Sequence, residues 1–278
     1  MEATNAMIWG TVSGASMAGM ALSLLLSVGL PVFLCIFIYK KAKAWLPAFF
    51  IGCGIFIGFA MILEQICHVI VLAATGSVIR DNLWLYALYG GLAAALFEES
   101  GRWIAMRFCL KKYLTRENAL MYGAGHGGIE AFLILGLSSM SNLLTSAMIN
   151  GGLMEKTYAA LEPVQQELAY SQLSVLWTTP SYQFYLAPVE RISAIALQIA
   201  LSILVYSAVK TGRKRYLAAA FGLHFAVDFL TALCASTIPT WALELGLFIV
   251  VAMTCVAVYR LVYMKAAEEN AENTVVTK

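Results

Sequence analysis

Apolar residues gather into seven blocks long enough to cross a bilayer, at about 15–39, 45–74, 83–110, 118–140, 188–210, 216–236 and 241–263. About 20 residues of helix span roughly 30 Å of hydrocarbon, so the second and third blocks predict helices that tilt or protrude. The stretch 141–187 is too apolar for a linker and too short for a domain. It carries Glu155, Lys156, Glu162 and Glu167, then an aromatic-rich part with Trp177, Tyr182, Phe184 and Tyr185. That order predicts an outer interfacial segment: a short helix at the membrane surface followed by an aromatic anchor. The expected architecture is an all-α polytopic bundle of about seven spans. Residues 1–264 form a single transmembrane helical domain, and 265–278 form a disordered cytoplasmic tail.

Polar positions break the apolar pattern in three of these blocks. They read Glu98-Glu99-Ser100-Gly101-Arg102, His126-Gly127-Gly128-Ile129-Glu130 and His224-Phe225-Ala226-Val227-Asp228. An ionisable residue at the bilayer centre costs about 2.5–3.5 kcal/mol on insertion scales. A chain that bears this cost three times is building a polar site inside lipid.

Composition agrees with the membrane reading. Hydrophobic residues make up 61% of the chain and charged ones 12%, against about 25% charge in a soluble domain. All six cysteines lie in apolar blocks without CxxC spacing, which argues against a disulfide framework or a zinc–cysteine site. The only charge before Lys40 is Glu2, so no cleaved signal peptide is expected. Of eighteen Lys and Arg, Arg80 and Lys156 fall outside and Arg102 and Arg191 within spans if the N-terminus is outside; the other fourteen collect on the inner side. The positive-inside rule therefore predicts N-out, C-in. With that orientation Glu98, His126 and His224 each lie eight or nine residues from the inner end of their helix, roughly 12–13 Å at 1.5 Å per residue.

Glu98 and Arg102 are four apart and Glu99 and Arg102 three apart, so each carboxylate can approach the guanidinium. Adjacent residues point about 100° apart, which leaves one carboxylate paired and the other free to face a cavity. The glycines around His126 predict a helix pressed closely against a neighbour, with Glu130 one turn on. His224 and Asp228 share a face, and a carboxylate on one ring nitrogen would fix the tautomer. Such a set can hydrolyse an amide: a carboxylate as general base on water, imidazoles on the developing oxyanion. The alternative is zinc on His126, His224 and Glu98, although no HExxH is present. Glu64 and His68, four apart on the second block, are expected to satisfy each other. Glu190 and Arg191 read as a structural clasp.

The segments FEESGR (97–102), ENALMYGAGHGGIEA (117–131), VERISAIALQIALSILVY (189–206) and LHFAVDF (223–229) resemble the YhfC-like bacterial intramembrane proteases. These are relatives of the glutamic-type CAAX protease and bacteriocin-processing superfamily. The resemblance implies that Glu98 activates water, with Glu99 as its partner, and that His126 and His224 stabilise the oxyanion. Arg102, Glu130, Asp228 and Gln198 would support them. Departures are an EExxR spacing one residue shorter than the superfamily's, Tyr122 in place of phenylalanine, and Gln198 where a histidine often stands. The expectation is an intramembrane endopeptidase of the bacterial cytoplasmic membrane that needs no cofactor, zinc being the alternative. Its partners would be a membrane-embedded or membrane-proximal peptide or protein and the lipid bilayer, not nucleic acid. A proton-coupled transporter, or a non-catalytic relative that binds membrane peptides, is the rival reading.

Overall fold

The structure, a computed structural model, describes residues 9–264, which are helical almost throughout and contain no β-strand. In chain order the helices are α1 (Gly14–Ala42), α2 (Pro47–Thr75), α3 (Leu83–Ile104), α4 (Arg116–Asn150), α5 (Leu153–Tyr158), α6 (Pro163–Thr178), α7 (Gln183–Thr211), α8 (Lys214–Cys234) and α9 (Thr240–Tyr263). Six of them, α1, α2, α4, α7, α8 and α9, are long and apolar enough to cross a membrane. The seventh expected span is α3, whose last two turns carry Glu98, Glu99 and Arg102 and so lower its hydropathy. The protein is an all-α polytopic membrane protein. The tail 265–278 lies outside the described residues.

One boundary differs from expectation. The fourth span runs to Asn150 instead of 140, because no helix breaker occurs before Gly151-Gly152, where Gly152 takes φ 68°. The segment 141–187 thus starts inside a spanning helix and then holds two helices, α5 and α6, where one was expected.

The chain divides into two compact units, Met1–Val28 with Phe132–Val189 and Gly29–Ala131 with Glu190–Lys278; α1, α4 and α7 contribute residues to both. In the first, Val12, Met20, Ile149, Met154 and Leu176 form a core. Asn150 accepts from the Val12 N–H at 2.8 Å and donates to its carbonyl at 3.0 Å. Trp177 of the expected anchor packs 5.9 Å from Trp9 and 5.5 Å from Tyr170, ring centre to ring centre.

In the second unit α2 packs along the first half of α4, and α8 along α3. Thr115 opens α4 by accepting the Asn118 N–H on its hydroxyl, and Asn82 opens α3 by accepting from the Trp84 and Leu85 N–H groups. The glycines of α4 serve three neighbours. A Cβ on Gly125 would lie 2.0 Å from the Phe49 carbonyl oxygen of α2, and one on Gly123 2.7 Å from Ile199 Cα of α7. One on Gly128 would lie 2.7 Å from Pro31 of α1. Close approach of backbones, the usual role of small residues in membranes, brings His126 into the middle of four helices.

Gly125→Leu is therefore expected to lower the thermal unfolding temperature in detergent, since overpacking costs about 1–3 kcal/mol or more. Gly54→Ala on α2, where a Cβ meets nothing within 4 Å, should leave it nearly unchanged.

Candidate functional site

Every residue expected at the site belongs to the second unit, and the structure brings them together. Arg102 is fully buried at 0% exposure, with Glu99 at 2% and Glu98 at 7%. Its guanidinium donates from Nη1 to Glu99 Oε1 at 2.7 Å and from Nη2 to the Gln198 side-chain carbonyl. Glu98 Oε2 stands 4.0 Å from Nη2. The two adjacent carboxylates thus divide as their angular offset predicts: Glu99 is ion-paired and Glu98 is held at a distance.

His126, also at 0% exposure, points its Nε2 at Glu98 Oε2, 2.9 Å away. When Glu98 is ionised it only accepts; Nε2 then carries the proton and Nδ1 is the acceptor. The Tyr122 hydroxyl lies 3.4 Å from Nδ1, placed to donate weakly. Phe56 of α2 covers the ring edge-on at 5.2 Å. His224 comes from α8 and donates Nδ1 to Glu99 Oε1 at 2.8 Å. Its Nε2 then faces Asp228 at 3.4 Å and Glu98 at 3.9 Å. Glu99, from another helix, is the closer carboxylate on His224, and Asp228 sits at the opposite ring nitrogen.

Gln198 joins the two halves of the cluster. Its amide nitrogen donates to Glu98 Oε2 at 3.0 Å and to Glu130 Oε2 at 2.7 Å, while its oxygen accepts from Arg102. Both amide protons and the acceptor are thereby in use. Glu130 accepts from Arg191 at 3.2 Å, and Arg191 also pairs with Glu190. Glu130 therefore binds Gln198 and Arg191, not the histidine one turn before it. Among the described residues Glu99 Oε2, Arg102 Nε and, on α9, Glu244 Oε2 are buried without a hydrogen-bond partner. The second-block pair satisfies itself as expected: His68 Nε2 lies 3.2 Å from Glu64, and its Nδ1 lies 2.7 Å from the Tyr89 hydroxyl.

A cavity of about 330 Å³ opens onto this cluster. Glu98, Gln198, His224, Glu130, Asp228 and Arg191 form its polar wall, and Leu197, Val227, Leu247 and Val251 are among its apolar residues. It follows α7 from Gln198 to Glu190, eight residues or about 12 Å. Glu99 belongs to a different opening, a groove lined by Trp103, Ile104, Leu217 and Phe221 between α3 and α8. Neighbouring carboxylates thus look onto separate spaces.

Two imidazole nitrogens and a carboxylate oxygen are a donor set that zinc accepts. Their arrangement does not fit one. Glu98 Oε2 already takes hydrogen bonds from His126 and Gln198, and a guanidinium, itself a fixed cation, stands 4.0 Å away. No group of three or more His, Cys, Asp or Glu among the described residues is placed to hold a metal ion.

Comparison with known proteins supplies the remaining information. An uncharacterized membrane protein YhfC of Bacillus subtilis (strain 168) is 41% identical over 222 residues, covering 77% of this chain and 83% of the relative. No solved structure matches. The family that matches residues 25–248 is described as an intramembrane metalloprotease. That wording favours the zinc alternative and gives no support to a site without a cofactor. With most of its length matched in both comparisons, the chain belongs to the YhfC intramembrane metalloprotease family.

Proposed function

We propose that the protein is an intramembrane endopeptidase in which Glu98 activates water to hydrolyse a peptide bond. One observation carries this reading: Glu98 lies on the wall of a cavity beside His224, while Glu99 next to it is tied through Oε1 to Arg102 and His224 and does not line that cavity. A carboxylate held near fixed donors and open to water is a general base in waiting.

In the proposed reaction, a water in the cavity gives its proton to Glu98 as its oxygen bonds to the substrate carbonyl carbon. The carbonyl π pair moves onto oxygen, and His224, as an imidazolium that donates Nδ1–H to Glu99 and keeps a proton on Nε2, stabilises that oxyanion from the same space. His126 begins on Glu98 instead of the cavity wall. Once Glu98 holds the proton its oxygen is a weaker acceptor, so the Nε2–H of His126 is released toward the oxyanion. Collapse of the intermediate breaks the C–N bond, and the proton on Glu98 passes to the leaving amine. Arg102 and Gln198 keep Glu98 oriented throughout, and preorganisation of this kind is the larger part of such catalysis. With the N-terminus outside, as the basic residues predict, the cavity runs toward the outer face and would admit water from there.

The family's description favours a second reading in which His126, His224 and Glu98 hold zinc. Because their arrangement does not fit a metal, no step here passes through one. The transporter rival loses ground to the family assignment, and no paired broken helices favour it.

Glu98→Gln is expected to reduce cleavage by about 10²–10⁴-fold, the usual contribution of a general base, with thermal unfolding unchanged. Turnover is read on a substrate identified by comparing new N-termini in membranes with and without the protein. Tyr122→Phe should retain activity within a few-fold, because a contact of 3.4 Å is near the limit of a hydrogen bond. Gln198→Leu frees both carboxylates and should lower kcat more than it alters KM. Activity is expected to survive exhaustive treatment with a strong zinc chelator. Loss that zinc restores would assign Glu98, His126 and His224 to metal binding instead.

A further inference from the structure

A second cleft, outside the catalytic cluster, lies at the other end of α7, where α7, α8 and α9 diverge. It measures about 610 Å³. Its walls are apolar, from Leu204 on α7, Ala219 and Leu223 on α8, and Val258 and Leu261 on α9. Its rim is basic, with Arg213 in the turn and Arg215 at the start of α8. Gly212 at φ 70° makes that turn tight, so Arg213 and Arg215 stand together over the cleft mouth. The Arg215 guanidinium lies 5.0 Å from the centre of the Tyr216 ring and donates to the Tyr216 hydroxyl at 3.3 Å, which orients it.

Among the described residues these cations have no acidic partner. The sequence has no Asp or Glu from Ile192 to Val227 or from Leu245 to Met264, yet those stretches carry Lys210, Arg213, Lys214, Arg215 and Arg260. Among the described residues Glu117, an acid at this end, pairs with Arg116 at 2.7 Å. A long apolar slot under an uncompensated basic rim matches one kind of molecule in a membrane. We propose that this cleft binds an anionic diacyl phospholipid, its acyl chain between α8 and α9 and its phosphate on Arg213 and Arg215. Basic pockets between helices at the cytoplasmic side take such headgroups, and the distribution of Lys and Arg assigns this end to the cytoplasm. A free phosphate would use the rim but leave the apolar walls empty. The proposal is independent of the peptidase reading, since this cleft and the catalytic cavity share no lining residue.

The test uses the full chain purified in detergent, with thermal unfolding and native mass spectrometry as readouts. Added phosphatidylglycerol is expected to raise the unfolding temperature by several degrees and to remain bound as one lipid in the mass spectrum. Phosphatidylcholine or inorganic phosphate should do neither. Arg213→Gln with Arg215→Gln should abolish both effects without altering unfolding in lipid-free detergent. Ala219→Phe, which fills the slot and keeps the charge, should also abolish them. Lys41→Gln with Lys43→Gln, at the same end but outside the cleft, should not. Equal stabilisation by phosphatidylcholine, or by phosphate alone, would overturn the proposal. So would retention of the lipid by the Arg213/Arg215 variant, or an equal loss in the Lys41/Lys43 variant. Binding that appears only in a chain ending at Met264 would make the acidic terminal segment the occupant and overturn it as well.

Discussion

A guanidinium sealed from solvent inside a membrane protein must be paired, because an isolated charge there costs several kcal/mol. Arg102 is that group, and its partners specify the site. Glu99 takes one amino group, the Gln198 carbonyl takes another, and Glu98 is left within the field but outside direct contact. From these two bonds the rest follows. Glu99 reaches on to His224, Gln198 reaches on to Glu98 and Glu130, and Glu98 meets His126. Four helices are joined through one cation, and each side chain around it has little freedom to turn elsewhere.

Much of this could be read before any coordinates. Ionisable residues four apart in apolar blocks marked three of the four helices that supply the cluster, because only a functional or paired role keeps them there. The offset between consecutive helix positions predicted that Glu98 and Glu99 would part company, and they do so toward different openings. The glycines of α4 announced close packing, but not that three separate helices would share it.

What stayed hidden depends on contacts between distant segments. His224 and Asp228 lie on one face, and the local pattern offers that pair first. The shorter contact, from Glu99 on another helix, exists only once α8 packs against α3. Arg191 looks like a partner for its neighbour Glu190 and is one, yet it also reaches Glu130 sixty-one positions earlier. A glutamine carries no charge to draw attention, so nothing local marked Gln198 as the bridge between two carboxylates. Helix ends were misjudged where apolar sequence continues past the expected membrane thickness, as in α4 up to Gly151.

The disagreement between the family's description and the arrangement around Glu98 turns on that same bridge. A ligand to a metal must present a lone pair toward a point shared with other ligands. Glu98 presents its oxygen to two N–H donors, and a positive guanidinium beside it repels a second cation. A general base has the opposite requirement: fixed donors that orient the carboxylate, and an open side toward water. On the proposed reading Glu98, oriented by Gln198 and His126 and facing a cavity, answers to the second description. For a metal to bind, Gln198 and His126 would both have to surrender Glu98, and Arg102 would then lose the amide that holds it in place.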